Sequence, residues 1–316
     1  MSKLQTRLLQ HIRTIFAILL VLVLLLSTAG AQAQATTEPT VRVETYNVLS
    51  SDFTRLGNKI GGSVNQRMNR VTDVIKTSDD GKRAHVVGMQ EVAPKQFRML
   101  HDKLPGYSSF PAGPTNTRPI FWHGPTFKLM DSGYISYPWY NSVGVRDGTT
   151  APWVRLKHRA TGKQLYILNH HAVAYNNVRG SDKGGALKRE RTAEIVLKWA
   201  NKKAKDGRRV IITGDFNSSF ILRNKQNYDK VKDEALNKNR NRLPYCIMTS
   251  TGRLTNTYDG ALGRSGQCPS KYRDVMYVDH IYVSKKLKTQ SWVQLVDDRT
   301  SRASDHFPTY SDIILK

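Results

Sequence analysis

Cysteine is the scarcest informative residue in this sequence. There are only two, Cys246 and Cys268, and they do not form a Cys-x-x-Cys pair. They are therefore a poor metal site, and the sequence is not that of a small scaffold held together by many disulfides. Acidic residues are also scarce, because 25 Asp and Glu stand against 49 Lys and Arg, for a net charge of +24. This balance argues against an acidic partner-binding tail. It favours nucleic acid, an anionic membrane face or a cell-wall polyanion as the partner.

Long apolar runs are absent except near the start of the chain. Residues 15–26 are uninterrupted apolar residues, a run shorter than the ~20 residues that a bilayer span needs. Three basic residues precede it: Lys3, Arg7 and Arg13. Small residues follow it, with Ala31 and Ala33 in an Ala-x-Ala cleavage pattern. These three parts predict a secretory signal peptide.

Export sets the domain boundaries that we predict. We expect a signal peptide over residues 1–33, a short polar tether over 34–40 and one domain over 41–316, although a second cleavage pattern ends at Ala35. Cleavage after Ala33 removes three basic and no acidic residues, so the mature chain keeps a net charge of +21. We therefore expect a secreted protein, a monomer, with no membrane span after cleavage.

Export also bears on the state of the two cysteines. In an exported protein, an even pair of cysteines is typical of a disulfide. We predict a bond between Cys246 and Cys268, which would close a loop of about twenty residues and contribute roughly 3 kcal/mol in the chain-entropy model.

Apolar periodicity predicts a mixed protein of the α/β (α+β) class. Helical spacing predicts helices over residues 64–75, 94–104 and 186–204. Alternating or β-rich segments predict strands over residues 41–48, 84–91, 119–123, 128–135, 153–158, 164–169, 208–213, 276–283 and 292–296. We interpret 106–119 as a loop and 224–242 as a surface excursion. The sequence shows no internal repeat or boundary, so we expect one sheet-on-sheet core flanked by helices.

Polar residues gather where the predicted strands end. The six motifs are Tyr46-Asn47, Gln90-Glu91, Asn169-His170-His171, Gly214-Asp215-Phe216-Asn217, Asp279-His280 and Ser304-Asp305-His306. Strand ends are rigid and hold side chains in fixed positions. Carboxylates, amides and imidazoles without cysteine suit Mg²⁺ best, with Mn²⁺ or Ca²⁺ as alternatives. The motifs therefore predict a divalent-cation site.

These six motifs, in this order, resemble the endonuclease/exonuclease/phosphatase superfamily, the family of DNase I. The resemblance extends from about Val41 to the C-terminus. It implies a two-layer β-sandwich with helices on its outer faces, in agreement with the periodicity. It also implies a hydrolase that cleaves phosphoester bonds with a divalent cation.

The resemblance implies a role for each matching residue on the cation side. Glu91 would be the principal metal ligand, and Asn47 would assist there and near the phosphate. Asp215 would position or activate the attacking water, while Asn217 would contact the phosphate. Asp305 resembles a second carboxylate on the metal side.

The histidines have roles in the proton transfers. His306 would contact the scissile phosphate or move a proton, oriented by Asp279. His171 would protonate the leaving oxygen. The motif here has a histidine where threonine is frequent, so His170 is an alternative to His171 by one register. Only one of the two can face the site, since side chains alternate along a strand, and the motif register favours His171.

Net charge is what discriminates among substrates, because the fold does not. A polyanion gains affinity from each phosphate that is neutralised, so we expect a nuclease without sequence preference, acting on DNA, RNA or both. The alternatives are a sphingomyelinase-type phospholipase C acting on lipid, a phosphomonoesterase, and a catalytically inactive polyanion-binding protein. A lipase of this kind would need an apolar hairpin to enter the membrane, and residues 136–140 are the only short candidate.

Overall fold

A computed structural model gives the architecture of residues 38–52, 60, 62–111, 113, 116–137, 150–174, 183–205, 207–218, 242–264, 268 and 277–316. Residues 39–316 form one compact unit. The signal peptide over 1–33, and most of the tether and of the 224–242 excursion, lie outside the described residues and stay predictions. None of the helices among the described residues is long and apolar enough to cross a membrane.

Two six-stranded sheets make up the sandwich. The first has the order β11-β12-β1-β2-β4-β3 and the second the order β5-β6-β7-β8-β10-β9. The strands are β1 (Thr40–Asn47), β2 (Val86–Gln90), β3 (Tyr107–Phe110), β4 (Ile120–His123), β5 (Phe127–Ser136), β6 (Thr150–His158), β7 (Gln164–His171), β8 (Arg209–Asp215), β9 (Leu254–Asn256), β10 (Asp279–Ser284), β11 (Leu287–Gln294) and β12 (Thr309–Leu315). The helices are α1 (Val64–Thr77), α2 (Pro94–Lys103), α3 (Lys183–Ala204), α4 (Pro244–Thr249), α5 (Thr257–Ala261) and α6 (Asp298–Ser301). The predicted two-layer sandwich is confirmed.

Side-chain alternation builds three apolar layers. In β1, Val41 and Val43 face the second sheet and pack with Ile167 and Ile211 in the central core. Tyr46, on the opposite face of β1, packs under α1 and α2. The outer face of the second sheet is covered by residues of α3 and α4. Each sheet is therefore buried on both faces near its centre, and this holds the strand ends in place.

Helix α1 shows how local sequence builds one of these layers. Ser63 caps its first turn and forms a capping box with Gln66, an arrangement that pairs otherwise unsatisfied backbone N–H groups. Met68, Val71 and Ile75 then recur at helical spacing and are completely buried. The predicted helix is confirmed, and it ends at Thr77.

Tertiary pairing supplies the elements that periodicity did not predict. Strand β3 lies within the predicted loop 106–119, and β9, β12 and the short helices α4, α5 and α6 lie in segments where we predicted no element. Strand β12 is an interior strand of the first sheet, because it pairs with both β1 and β11. The predicted disulfide between Cys246 and Cys268 is present, and it ties α4 to the segment after α5.

Candidate functional site

Strand direction brings the six polar motifs to one edge of the sandwich. Strand β1 runs parallel to β2, and β7 runs parallel to β8, so each pair ends on the same side of its sheet. Strands β10 and β12 run antiparallel to their neighbours and begin at that edge. Asp279, the first residue of β10, pairs directly with Asp215, the last residue of β8, and His171 pairs with Asp215 from the other side.

A buried polar layer lies beneath this edge and joins the two sheets. The Gln90 side-chain amide donates to Oδ1 of Asn169 at 2.7 Å, and the Thr213 hydroxyl donates to the same oxygen at 3.2 Å. Asn169 in turn donates to the main-chain oxygen of Met89 at 2.6 Å. A side chain at Gly88 would lie only 2.7 Å from Asn169 Oδ1. Glycine is therefore required there for the sheets to approach, and the layer fixes the strand ends above it.

Asp215 is the centre of the site. Its Oδ2 accepts a hydrogen bond from Asn47 Nδ2 at 3.0 Å and lies 3.6 Å from His171 Nε2 and 3.8 Å from His306 Nε2. Its Oδ1 accepts from the backbone N–H of Asn217 at 2.8 Å. Burial, together with the nearby charge of Asp279, raises the pKa of Asp215 to about 7, against the opposing charge of His306 and the hydrogen bonds from Asn217 and Asn47.

Glu91 lies next to Asp215, because Asn47 Nδ2 also donates to Glu91 Oε1 at 3.1 Å. The backbone N–H of Ser50 donates to the other carboxylate oxygen at 3.2 Å. Glu91 and Asn217 both have positive φ angles, 60° and 45°. Such conformations are unfavourable for residues with a Cβ and tend to cluster at functional sites. The chain thus accepts strain at two residues of the predicted site.

His306 lies against Asp279. Its Nδ1 lies 2.8 Å from Asp279 Oδ2, and the two side chains are 19% and 4% exposed. Burial alone would lower the pKa of His306. The charge of Asp279 and the hydrogen bond to it outweigh burial and raise this pKa to about 10. The imidazole is therefore a cation at neutral pH, with Nε2 directed toward Asp215.

The two adjacent histidines lie on opposite faces of β7. His171 Nε2 lies within 3.9 Å of Glu91 Oε1 as well as close to Asp215. His170 is completely buried on the outer side, with Nδ1 2.7 Å from the Tyr137 hydroxyl and its ring against Phe216. The geometry brings His171 into the site and leaves His170 in the core. Burial, and then the charge of Arg118, lower the pKa of His171 well below its usual value.

The donor set fits a divalent cation. Potential ligand atoms of Asp215, Asp279 and His306 all lie within 4.8 Å of one another. The two carboxylates are the donors of this group, because a protonated imidazole has no lone pair for a cation. Oδ1 of Asp279 is buried and has no hydrogen-bond partner among the described residues, which leaves it available as a ligand. Asn47 lies beside this group through its hydrogen bond to Asp215, and Glu91 lies beside Asn47 through a second hydrogen bond from the same amide. Asp305 is exposed at its edge and accepts from the Ser304 hydroxyl at 3.4 Å.

Arg67 of α1 holds two loops of the site in place, a role that the sequence analysis did not predict. Its buried guanidinium donates to the main-chain oxygens of Val48 and Leu49, after β1, at 2.5 and 2.6 Å. It also donates at 2.8 Å to that of Ala303, just before the Ser304–His306 motif. One side chain thus ties together two site loops. The signal in the sequence was a charged residue at helical spacing on the apolar face of α1.

Comparisons with known proteins agree with this geometry. A model of the Endonuclease/Exonuclease/phosphatase family matches residues 45–306. No curated protein matches the sequence significantly. Among solved structures, the mannosyl-6-phosphatase of Bacteroides thetaiotaomicron is 17% identical, with 87% of this chain and 99% of that chain covered and a TM-score of 0.60. The human Nocturnin catalytic domain with bound sulfate is 19% identical, with 88% and 96% covered and a TM-score of 0.61.

A third structure adds a nucleic-acid complex to these neighbours. D. rerio TDP2 complexed with a single-stranded DNA product is 16% identical, with 87% of this chain and 99% of that chain covered and a TM-score of 0.54. At such identities the structures establish the fold alone, whereas the family match extends over most of the chain and includes all six motifs. The chain therefore belongs to the endonuclease/exonuclease/phosphatase family, whose members are hydrolases that act on phosphoester bonds.

Proposed function

We propose that the protein is an exported, divalent-cation-dependent phosphodiesterase that cleaves nucleic acid without sequence preference. The observation that carries the proposal is the convergence of two imidazoles and two amides on the buried carboxylate of Asp215, in a chain with a net charge of +24. The convergence supports phosphoester hydrolysis, and the charge supports a polyanionic substrate.

Family enzymes typically use divalent cations, and Glu91, with Asn47 beside it, would hold one here. When bound, such a cation neutralises charge on the phosphate and lowers the pKa of a coordinated water. In this proposal Asp305, which is exposed, is the second carboxylate on the cation side.

Residues of the chain itself can supply the remaining chemistry. Asp215 is suited to accept a proton from the attacking water, because burial raises its pKa above the usual carboxyl range and a general base works best with a pKa near the working pH. His306, a cation held by Asp279, is suited to bind the non-bridging oxygens of the phosphate. The side-chain amide of Asn217, held at 3.1 Å by the main-chain oxygen of Ala172, borders the same region.

His171 is suited to the leaving-oxygen side. Its low pKa makes it neutral in the free protein, so that it can approach a phosphate as a hydrogen-bond donor. A bound phosphodiester adds negative charge beside the ring, which raises the pKa of an imidazole and favours the protonated form that a general acid requires.

A substrate panel tests the proposal. Purified protein would be incubated with plasmid DNA, RNA, sphingomyelin and a sugar phosphomonoester, each with Mg²⁺ or with EDTA. We expect cleavage of nucleic acid that requires the cation. We also expect an activity loss of about 100-fold or more in His306→Ala, the scale for removing one donor that stabilises charge in the transition state. Release of phosphocholine or inorganic phosphate with intact nucleic acid would instead identify a phospholipase or a phosphomonoesterase.

The lipid alternative has little support among the described residues. In the candidate membrane hairpin, Tyr137 is buried and contacts His170, while residues 138–140 lie outside the described part of the chain. A catalytically inactive protein is the third outcome of the panel, in which no substrate is cleaved under either condition.

A further inference from the structure

The outer face of the second sheet carries a group of basic residues away from the candidate site. We call this group the basic strip. Its members are in β5 and β6, near the end of α3 and just before β8: Lys128, Arg155, Lys157, Lys203 and Arg208. Lys128 and Lys157 are both exposed and lie directly opposite each other in the antiparallel pair β5–β6. Like charges in this position destabilise a sheet, so the arrangement calls for an anionic partner.

Aromatic side chains lie between these charges. The Lys203 ammonium lies 4.8 Å from the ring centre of Tyr166 and 5.0 Å from that of Trp153. The guanidinium groups of Arg155 and Arg208 lie 5.9 and 5.7 Å from the Tyr166 ring. Three basic groups thus surround one aromatic ring. Arg155 also lies 3.7 Å from the Asp131 carboxylate of β5, so the lysines carry the charge of the strip that is left for a partner.

The backbone of the neighbouring strand leaves space for the Trp153 indole on this face. It lies opposite Gly133 of the edge strand β5, and a Cβ at Gly133 would come within 2.9 Å of the indole. The glycine therefore lets the indole lie over the neighbouring backbone. The Trp153 side chain remains half-buried there, next to the half-buried Trp199 of α3 at a ring distance of 6.1 Å.

We propose that the basic strip, with Trp153 beside it, is a second binding surface for a single-stranded polynucleotide. Positive side chains that follow a phosphate backbone, with aromatic rings beside them for unstacked bases, are the features by which proteins bind single strands without sequence preference. Tyr166 is five residues before His171 on β7, or about 17 Å at the rise of a strand. One polynucleotide could therefore contact both the strip and the candidate site. The proposal rests on the proposed nuclease function for its substrate class.

Binding measured without catalysis tests the surface. Anisotropy of a fluorescent 30-nucleotide oligo(dT) would be measured in EDTA between 50 and 300 mM NaCl. The variant Lys157→Gln/Lys203→Gln removes two phosphate contacts. We therefore expect the slope of log K against log salt concentration to become shallower by about 1.4. The matched control, Lys76→Gln/Lys95→Gln, removes two exposed charges from α1 and α2 on the other layer. It is expected to keep the wild-type slope.

Trp153→Leu tests the stacking contribution. We expect at least about fivefold weaker oligo(dT) binding, because stacking of one base on an aromatic ring contributes on that scale. Hydrolysis of the small diester bis(p-nitrophenyl) phosphate with Mg²⁺ should stay at the wild-type rate in both strip variants, since neither changes a residue of the site.

Three results would overturn the proposal. The first is an equal slope change in the strip and control variants, which would mean that only net charge matters. The second is weakened binding to phosphatidylserine vesicles with unchanged oligo(dT) binding, which would make the strip a lipid surface. The third is unchanged oligo(dT) binding in an enzyme that does cleave nucleic acid. If the protein cleaves no nucleic acid, the binding comparison in EDTA still shows whether the basic strip binds single-stranded DNA.

Discussion

Asp279→Asn removes a charge from the candidate site while preserving the size of the side chain. In the wild type, Asp279 Oδ2 lies 2.8 Å from His306 Nδ1 in a mostly buried pair. A hydrogen bond to a charged group contributes about 1.5–3 kcal/mol. If the interaction is made in full in the transition state, its loss lowers kcat/KM by about 10- to 150-fold.

The assay is hydrolysis of whichever substrate the panel identifies, at saturating Mg²⁺ and at several substrate concentrations. We expect kcat to fall more than KM rises, because a cationic His306 matters most when charge develops on the phosphate. The control is Asp102→Asn, the same chemical change at a side chain that is 81% exposed at the end of α2. It should leave both constants unchanged.

A double-mutant cycle shows whether Asp279 acts through His306. If it does, Asp279→Asn combined with His306→Ala should be no slower than His306→Ala alone, because the partner of the carboxylate is already gone. Multiplicative losses would refute this reasoning and would assign Asp279 an independent role. Cation binding through Oδ1, which has no hydrogen-bond partner in the described part of the chain, is one such role. Wild-type activity in Asp279→Asn would refute any role for the charge.

Three further predictions concern the scaffold. Burial raises the pKa of Glu44 from 4.5 to about 8. Between these two pH values the Glu44 carboxyl is protonated in the native state but ionised in the unfolded chain. The free energy of unfolding therefore falls as the pH rises from 4.5 to about 8. Glu44→Gln should remove that slope and stabilise the protein by about 3 kcal/mol at pH 7 in urea unfolding. Arg67→Lys, which cannot reproduce three contacts, should reduce kcat at least about tenfold while circular dichroism still shows a folded protein. Replacing Cys246 and Cys268 with serine should lower the free energy of unfolding by about 2–4 kcal/mol.

Much of the site could be predicted because its residues end or begin strands. Parallel neighbours such as β7 and β8 must end on the same side, so the motifs containing His171 and Asp215 had to meet once the strands paired. Alternation also decides between the two histidines, because His170 then belongs to the outer face. Motif order and strand geometry were sufficient for this part.

Strand β12 could not be predicted because its pattern depends on its neighbours. Asp312 interrupts its apolar residues and is balanced by Arg42 of β1, whose Nη2 lies 2.8 Å away. Such an ion pair cannot be recognised before the two strands are known to be adjacent. The same applies to β3, whose four residues pair with β4.

The contribution of Arg67 illustrates a deeper limit. Its helical position shows that a guanidinium is buried, and a buried guanidinium must find acceptors. The acceptors are main-chain oxygens. Every residue has one, so the sequence alone does not identify which oxygens accept. One of them belongs to Ala303, 236 positions along the chain. Side-chain chemistry can therefore predict which groups act on a phosphate, whereas the backbone contacts that hold those groups in place become visible only in the folded chain.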